Sequence, residues 1–312
     1  MMGMRRVFSS APSLHWQTPL RRQIPAIAFG TGSKWKGHDV TAYVEQAFEA
    51  GFSHIDTAQY YRTEQFIGNA LRESALNRSE FFITSKWSGI GGPREALNNS
   101  LSELGLKQLD LYLIHDPRAV TPETWPEFEK FKKEGLVKSI GVSNYPLEQL
   151  KSLIKEAKVV PAVNQILLHP YNYAENKELL EYSAKHGIVI EAYSSLRPIT
   201  AYPGGPVDKP VSAAAKRLNA TPTQVLLAWV RSKGAVIVTT SSRKDHLKEY
   251  LDVADLPPLT DEEIAAIDAA GAEGIPSLPF FDWVVFPKVV ASFFFNLSMI
   301  LALVFFLSRF RL

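Results

Sequence analysis

The sequence contains no cysteine among its 312 residues. This absence excludes a disulfide framework, a cysteine-ligated metal site and a thiol nucleophile. A strong net charge is also missing, because 34 basic residues stand against 32 acidic ones, and this argues against a nucleic-acid partner. A chain of this length forms either two ordinary domains or one large α/β barrel.

Acidic residues are absent from the N-terminal stretch, residues 1–36, which carries several arginines and serines. Such a composition is typical of a mitochondrial transit peptide, but it equally fits a short leader before the first strand. The stretch contains no apolar run of the kind found in a secretory signal peptide. We assign residues 1–13 to a leader and leave open whether the leader is a targeting peptide.

Charge is nearly absent from the C-terminal stretch. Residues 289–307 form an uncharged run of 19 residues, flanked by Lys288 and Arg309. As a helix this run would span about 28 Å, close to the hydrocarbon thickness of a bilayer. It predicts a single transmembrane helix, with residues 276–288 as a linker and residues 308–312 as a short basic tail. The alternative is a helix folded onto the body.

The predicted span lies a few residues from the C-terminus, so it would leave the ribosome only after translation ends. This position predicts a tail anchor with the body facing the cytosol. The flanking charges do not decide the orientation, because basic residues lie on both sides.

Strand-like and helix-like segments alternate through the body, residues 14–275. The predicted strands are Ala26–Phe29, His54–Asp56, Phe82–Ser85, Leu109–Ile114, Ser139–Val142, Val163–Gln165, Val189–Ala192 and Val236–Val238. The predicted helices are Val40–Ala50, Glu64–Ser74, Arg94–Leu104, Pro122–Lys133, Leu147–Glu156, Glu175–His186, Thr221–Ser232, Lys244–Leu251 and Thr260–Ala270. Glycines follow several of the helical patterns, where a left-handed cap is favoured.

Eight strand–helix units with short connections indicate parallel strands joined by crossovers. Two architectures satisfy this pattern: a closed (β/α)₈ TIM barrel and an open doubly wound sheet. The count of eight favours the barrel. The first strand is not followed by a G-x-G-x-x-G motif, which weakens the open dinucleotide-binding sheet.

Titratable residues stand where predicted strands end. Asp56, Lys86 and His115 close or follow three consecutive strands, and Tyr61 lies on the loop after Asp56. In a barrel the carboxyl ends of the strands meet at one mouth, so these side chains are expected to converge there. Each residue alone is more often a surface or packing residue; their shared position makes them candidates for catalysis.

Four motifs in these regions resemble those of the aldo-keto reductases. In chain order they are Gly51–Gly68, Ile83–Trp87, Leu136–Tyr145 and Val163–Tyr171. The resemblance runs from about Gln23 to Ala270, and the short segment after His115 is most similar to the fungal ketoreductase branch. It implies a barrel enzyme that transfers hydride reversibly between a nicotinamide cofactor and an aldehyde or ketone, with no metal.

The resemblance also implies roles for the four catalytic candidates. Tyr61 would be the general acid, Lys86 and Asp56 would tune it, and a neutral His115 would orient the carbonyl. A carbonyl that accepts hydride develops charge on oxygen and needs a proton donor and fixed hydrogen-bond donors there. A nearby ammonium is expected to lower the pKa of a tyrosine from its ordinary value near 10.

The cofactor residues implied by the resemblance are Ser143, Asn144, Gln165, Tyr193, Ser194, Leu196, Thr240, Ser241, Arg243, His246 and Glu249. Ser143, Asn144 and Gln165 match the clamp on the nicotinamide carboxamide, and Tyr193 matches the aromatic residue that stacks on the nicotinamide ring.

The chain departs from the family pattern at two cofactor positions. Thr240 and His246 stand where many members have the Lys and Arg that hold the 2′-phosphate of NADPH. Arg243 and Lys244 are replacements of suitable chemistry. The prediction is therefore NADPH, with NADH as the alternative.

The predicted substrate pocket also departs from that of many relatives, because Asp116 replaces the Trp that follows their catalytic His. A more open and less aromatic pocket is expected, with Trp35 and Trp87 as its remaining walls. The alternative for both Trp side chains is packing at the barrel rim.

The sequence leaves three functions open. The first is an NADPH-dependent carbonyl reductase attached to a membrane through residues 289–307. Its small-molecule carbonyl substrates would then include lipophilic ones, because these partition into bilayers. The second is a catalytically weak cofactor-binding module that resembles potassium-channel β subunits. The third is another barrel enzyme, such as an isomerase.

Overall fold

The barrel is seen in a computed structural model, which describes residues 24–276. Its strands are β1 (Ile27–Gly30), β2 (His54–Asp56), β3 (Phe82–Trp87), β4 (Leu109–Ile114), β5 (Val137–Ser143), β6 (Val163–Leu167), β7 (Val189–Tyr193) and β8 (Val236–Thr239). The helices are α1 (Thr41–Ala50), α2 (Glu64–Glu73), α3 (Pro93–Leu104), α4 (Thr124–Lys133), α5 (Leu147–Glu156), α6 (Pro170–Lys185), α7 (Arg197–Thr200), α8 (Asp208–Leu218), α9 (Pro222–Ser232), α10 (Lys244–Leu251) and α11 (Asp261–Ala272).

All eight strands are parallel, and each pairs with its neighbours in the sequence. The sheet closes on itself because β1 also pairs with β8, with Ile27 opposite Ile237 and Phe29 opposite Thr239. This closure confirms the predicted (β/α)₈ TIM barrel and excludes the open doubly wound sheet.

The strands are buried on both faces, because the helices cover the outside and side chains fill the inside. Every residue of β4 is buried. Helix α3 shows how the outer layer is held: Leu97, Leu101 and Leu104 recur on one face of the helix and all three are buried. The helix ends at Gly105, whose φ of 67° is the left-handed conformation expected for a glycine cap.

Three helices differ most from the prediction, and the shortest of them, α7, was not predicted. Helix α6 begins at Pro170, five residues before the predicted start, because Pro occupies its first turn and His169 and Asn172 form a capping box. Helix α8 was not predicted, since Pro210 interrupts its helical pattern. Pro is tolerated in the first turn, where the missing N–H costs little, and Val211 lies on the buried face.

Several predicted segments lie outside the described residues: the leader (1–13), the transmembrane helix (289–307) and the basic tail (308–312), together with the linker from residue 277 onward. Between residues 24 and 276, no helix is long and apolar enough to cross a bilayer.

Candidate active site

The carboxyl ends of the strands bring the predicted catalytic residues to one mouth of the barrel. Asp56 ends β2, Lys86 lies near the end of β3, and His115 directly follows β4. Tyr61 ends a short 3₁₀ turn, Gln59–Tyr61, that follows β2. The four residues, far apart in sequence, therefore share one site, as the barrel topology predicts.

Lys86 and Asp56 form a buried ion pair at the base of this site. The Lys86 Nζ donates to Asp56 Oδ1 at 2.6 Å and to the Thr57 carbonyl at 2.9 Å. Burial alone would lower the pKa of Lys86, but the Asp56 charge and its hydrogen bond outweigh burial and raise it. The lysine is therefore held as a cation directly behind the reactive groups.

Tyr61 and His115 stand together above this pair. The Tyr61 hydroxyl lies 3.4 Å from His115 Nε2, and Lys86 Nζ lies 5.3 Å from the centre of the Tyr61 ring. The ring fits closely against the chain at Gly32, where a Cβ atom would lie 2.3 Å from it. A side chain at that position would displace Tyr61.

The expected lowering of the Tyr61 pKa is wrong for the protein without ligands. Burial raises the pKa of Tyr61 above its ordinary value, and the Lys86 charge opposes burial without overcoming it. The phenol therefore stays protonated at neutral pH, which suits a proton donor. The ammonium still favours the phenolate that remains once the proton has left.

His115 is neutral, as expected. Burial and then the Lys86 charge lower the pKa of His115 to about 4. Ser88 Oγ lies 2.9 Å from His115 Nδ1 and accepts a hydrogen bond from the Tyr60 N–H. The Ser88 hydroxyl has one proton to donate, and His115 Nδ1 is placed to accept it. This arrangement favours the imidazole tautomer that carries its proton on Nε2, the nitrogen that faces Tyr61.

A cavity of about 980 Å³ opens above these residues. Its volume is at the upper end of ligand sites, so it has room for a large cofactor as well as a small substrate. Seven of the predicted cofactor residues line it: Ser143, Asn144, Gln165, Tyr193, Ser194, Leu196 and Thr240. The Thr240 Oγ1 is buried and has no hydrogen-bond partner within residues 24–276, which fits a polar ligand in this cavity.

The residues matched to the carboxamide clamp are fixed by their neighbours. Asn144 donates from Nδ2 to the His115 carbonyl at 3.0 Å and accepts from the Tyr193 hydroxyl at 2.8 Å. Ser143 Oγ donates to the Gln165 carbonyl at 2.9 Å. Asn144 has a φ of 62°, a left-handed conformation that Asn adopts more readily than most residues. The strand ends are thus shaped to present these groups to the cavity.

The remaining predicted cofactor residues do not line the cavity; they are Ser241, Arg243, His246 and Glu249. Glu249 accepts a hydrogen bond from the Thr221 hydroxyl at 2.6 Å, so it joins α10 to the start of α9. Arg243 forms an ion pair with Asp245, and Lys244 pairs with Glu49 at 2.8 Å. Both cations proposed for the 2′-phosphate therefore face a carboxylate.

The structure places Trp35 and Trp87 in the core and not in the cavity wall. Trp35 stacks on Tyr43 at 4.7 Å, and Trp87 donates to the Gly91 carbonyl at 3.2 Å. Both large aromatic rings therefore pack within the core. Asp116 does line the cavity, and it forms an ion pair with Arg118 at 2.6 Å.

Several residues of the site were missed by the sequence analysis. Lys36 and Arg118 line the cavity, and Lys36 Nζ lies 4.7 Å from the centre of the Tyr60 ring. Glu191 is fully buried in β7, beside Gln165. Burial, and then the nearby Asp56 charge, raise the pKa of Glu191 to about 7. The sequence signal that could have identified Glu191 is a single acidic residue within an otherwise apolar strand.

Comparison with known proteins gives consistent matches over the barrel. The model of the Aldo/keto reductase family matches residues 26–201 and 205–272. The NAD/NADP-dependent indole-3-acetaldehyde reductase of Schizosaccharomyces pombe is 38% identical over 244 residues, covering 74% of this chain and 86% of that protein. The methylglyoxal reductase of Escherichia coli K12 is 36% identical over 253 residues, covering 78% and 90%.

Comparison with solved structures also finds similar aldo-keto reductases. The Bombyx mori aldo-keto reductase, in complex with NADP, superposes with a TM-score of 0.72 at 32% identity. The match covers 80% of this chain and 90% of that one.

Proposed function

Because the chain belongs to the aldo/keto reductase family, we propose that it uses NADPH to reduce an aldehyde or ketone to an alcohol, with Tyr61 as the general acid. One observation carries the proposal: the Tyr61 hydroxyl and His115 Nε2 lie 3.4 Å apart at the cavity, over the buried Lys86–Asp56 pair. Two protonated donors thus converge where a carbonyl oxygen would develop charge.

The chain's own residues account for the proton side of this reaction. A bound nicotinamide would supply the hydride. Tyr61 gives its phenolic proton to the carbonyl oxygen, while the neutral His115 donates a hydrogen bond to the same oxygen. Lys86 stabilises the phenolate that remains, and Asp56 holds Lys86 in place. General acid catalysis of this kind contributes about 10²- to 10⁴-fold in rate.

The residues present fit a nicotinamide cofactor. The clamp residues line the cavity, and the buried Thr240 Oγ1 has no hydrogen-bond partner among the described residues. The proposed NADPH preference is supported by Arg243 and Lys244. Their ion pairs are exposed, and exposed pairs contribute little, so a 2′-phosphate competes well with the carboxylates.

The cavity lining bears on the substrate. The cavity lining includes polar and charged side chains besides Tyr61 and His115, among them Lys36, Tyr60, Ser88, Asp116 and Arg118. We infer that these groups favour small polar carbonyls over the lipophilic ones expected from the predicted membrane span. The methylglyoxal named for the E. coli relative is a molecule of this kind.

A substrate screen on the 312-residue chain tests the proposal. Methylglyoxal, an aromatic aldehyde, a keto ester and a long-chain aldehyde are each assayed with NADPH and with NADH. We expect turnover with NADPH, and a loss in kcat of about 10²-fold or more in Tyr61→Phe with little change in cofactor affinity.

The other two functions predict different results. Tight cofactor binding without turnover of any carbonyl would support the regulatory module. Activity that survives Tyr61→Phe would point to another kind of barrel enzyme and remove Tyr61 as the acid.

We also propose that residues 289–307 anchor the chain in a membrane as a single C-terminal helix, with the barrel facing the cytosol. The support is the uncharged run of 19 residues between Lys288 and Arg309. Flotation with liposomes tests this: the full chain should float, and a chain ending at residue 283 should stay at the bottom. A full chain that stays unbound without detergent would refute the anchor.

A further inference from the structure

Glu191 is a buried acid for which the proposed proton transfer has no use. It lies in the middle of β7, and its side chain is inaccessible to solvent. Its Oε2 accepts a hydrogen bond from Gln165 Nε2 at 2.7 Å, while its Oε1 has no hydrogen-bond partner in the part of the chain that the structure describes. A buried carboxyl with an unsatisfied oxygen is costly, so its presence beside the site requires an explanation.

Gln165 links Glu191 to Asp56, the acidic partner of the buried Lys86–Asp56 ion pair. Its Nε2 donates not only to Glu191 but also to Asp56 Oδ2, at 2.8 Å. The two N–H groups of one amide are thus directed at two carboxylates. Ionised carboxylates only accept hydrogen bonds, so the amide nitrogen has to face them. With the amide reversed, its oxygen would meet two further acceptors.

This constraint leaves the other end of the amide available to a ligand. Gln165 lines the cavity, and its Oε1 has no hydrogen-bond partner among the described residues. Asp56 alone holds the amide less firmly, because its other oxygen already accepts from Lys86. Among the described residues, Glu191 makes one side-chain hydrogen bond, and that bond is to Gln165.

We propose that Glu191 is a positioning residue, which turns Gln165 so that Oε1 accepts a hydrogen bond from the carboxamide N–H of the nicotinamide. The inference rests on the proposed function and adds a direction to the contact: Gln165 acts as the acceptor. A neutral residue at position 191 would allow the amide to present either end.

A cofactor analogue tests that direction by binding alone. The 3-acetylpyridine analogue keeps the carbonyl of the carboxamide but has a methyl group in place of the amino group. The wild type should bind the oxidised cofactor about tenfold more tightly than this analogue, since the analogue leaves Gln165 Oε1 without a donor. In Glu191→Gln the ratio should fall to about twofold.

Both affinities are measured by fluorescence titration at pH 8.5, where Glu191 is ionised because its pKa is about 7. The NADP⁺ pair or the NAD⁺ pair is used, whichever binds more tightly. Thermal unfolding confirms that each variant is folded. Should Glu191→Gln not fold, Glu191→Asp retains the charge but shortens the side chain, and the ratio should fall in the same direction.

Glu64→Gln is the matched control. Glu64 is also a buried acid with a pKa raised to about 7, but it accepts its hydrogen bond from Ser85 and not from Gln165. This variant should keep the wild-type ratio. A folded Glu191 variant that also keeps the tenfold ratio would overturn the inference. Failure of the wild type to bind either cofactor would instead overturn the proposed function.

Discussion

The two ends of the predicted cofactor site, one inside the cavity and one outside its lining, are built in opposite ways. At the catalytic end, the side chain of Lys86 is 0% exposed and that of Asp56 is 3% exposed. At the end matched to the adenosine phosphate, the paired side chains of Arg243 and Asp245 are 63% and 62% exposed. Both ends contain ion pairs, but only the first is shielded from water.

The difference in burial determines what each end tolerates. A buried pair has lost its hydration, so removal of one partner strands a charge in the interior. An exposed pair is screened and readily exchanges its partner for water or for a ligand. On the proposed function, the proton-transfer groups are therefore fixed by the fold, whereas the preference between NADPH and NADH would depend on surface residues that change at little cost.

The largest expected effect comes from breaking the buried pair. Lys86→Met leaves the Asp56 carboxylate without its cation, so we expect a loss of about 3–5 kcal/mol in the free energy of unfolding. The kcat should fall about 10²-fold or more, because the Tyr61 phenolate loses its stabilising charge. Urea unfolding and steady-state kinetics measure the two effects.

Lys130→Met is the control for that variant. Lys130 pairs with Glu127 at 3.0 Å, but its side chain is 64% exposed. Neither stability nor kcat should change much. Equal losses in the two variants would show that burial does not separate the two kinds of ion pair.

A smaller effect concerns buried acids near the catalytic end. Burial raises the pKa of Glu64 from 4.5 to about 7. The folded state therefore holds a proton that the unfolded state releases, and this group's stabilising contribution is lost as the pH rises from about 4.5 through 7.

Glu64→Gln removes this titration. The variant should gain about 2 kcal/mol relative to the wild type between pH 5 and pH 8. Chemical denaturation at the two pH values gives the difference. Glu148→Gln, at a side chain that is 80% exposed, should show no such gain. Parallel stability curves for Glu64→Gln and the wild type would contradict the raised pKa.

The smallest effect is expected at the exposed end. Asp245→Asn frees Arg243 for the 2′-phosphate, so NADPH affinity should rise about threefold while NADH affinity stays constant. The gain should shrink in high salt, which screens exposed charges.

Asp252→Asn provides the comparison for that variant. Asp252 follows α10 and pairs with Lys248, at a side chain that is 42% exposed. It should leave both cofactor affinities unchanged. An equal gain from both substitutions would indicate a general charge effect and not the release of Arg243.

Much of the fold was predictable because its signals are local. The alternation of strand and helix, and a glycine cap such as Gly105, gave the barrel and most element bounds. The convergence of the four candidate catalytic residues was predictable because the carboxyl ends of the strands meet at one mouth in this topology, whereas their roles came from the family resemblance. Helix α8 was missed because Pro210 breaks the apparent pattern, although Pro is harmless so early in a helix.

The remaining features depend on burial, which the chain acquires only by folding. The sign of the Tyr61 pKa shift follows from desolvation outweighing the Lys86 charge, and no motif contains that balance. Trp35 was expected in the pocket because of its residue type, but aromatic neighbours from other segments enclose it. The contact between Glu191 and Gln165 could not be predicted, because it depends on how β6 packs beside β7 in the folded barrel.

The pairing of β1 with β8 has a consequence for the order of events during synthesis. The first strand emerges from the ribosome early, but its partner, Val236–Thr239, is among the last parts of the barrel to be made. Until then two strand edges stay open, and contacts this distant in sequence form slowly. A chain interrupted before Val236 would carry all four catalytic side chains and still lack the closed ring that gathers them.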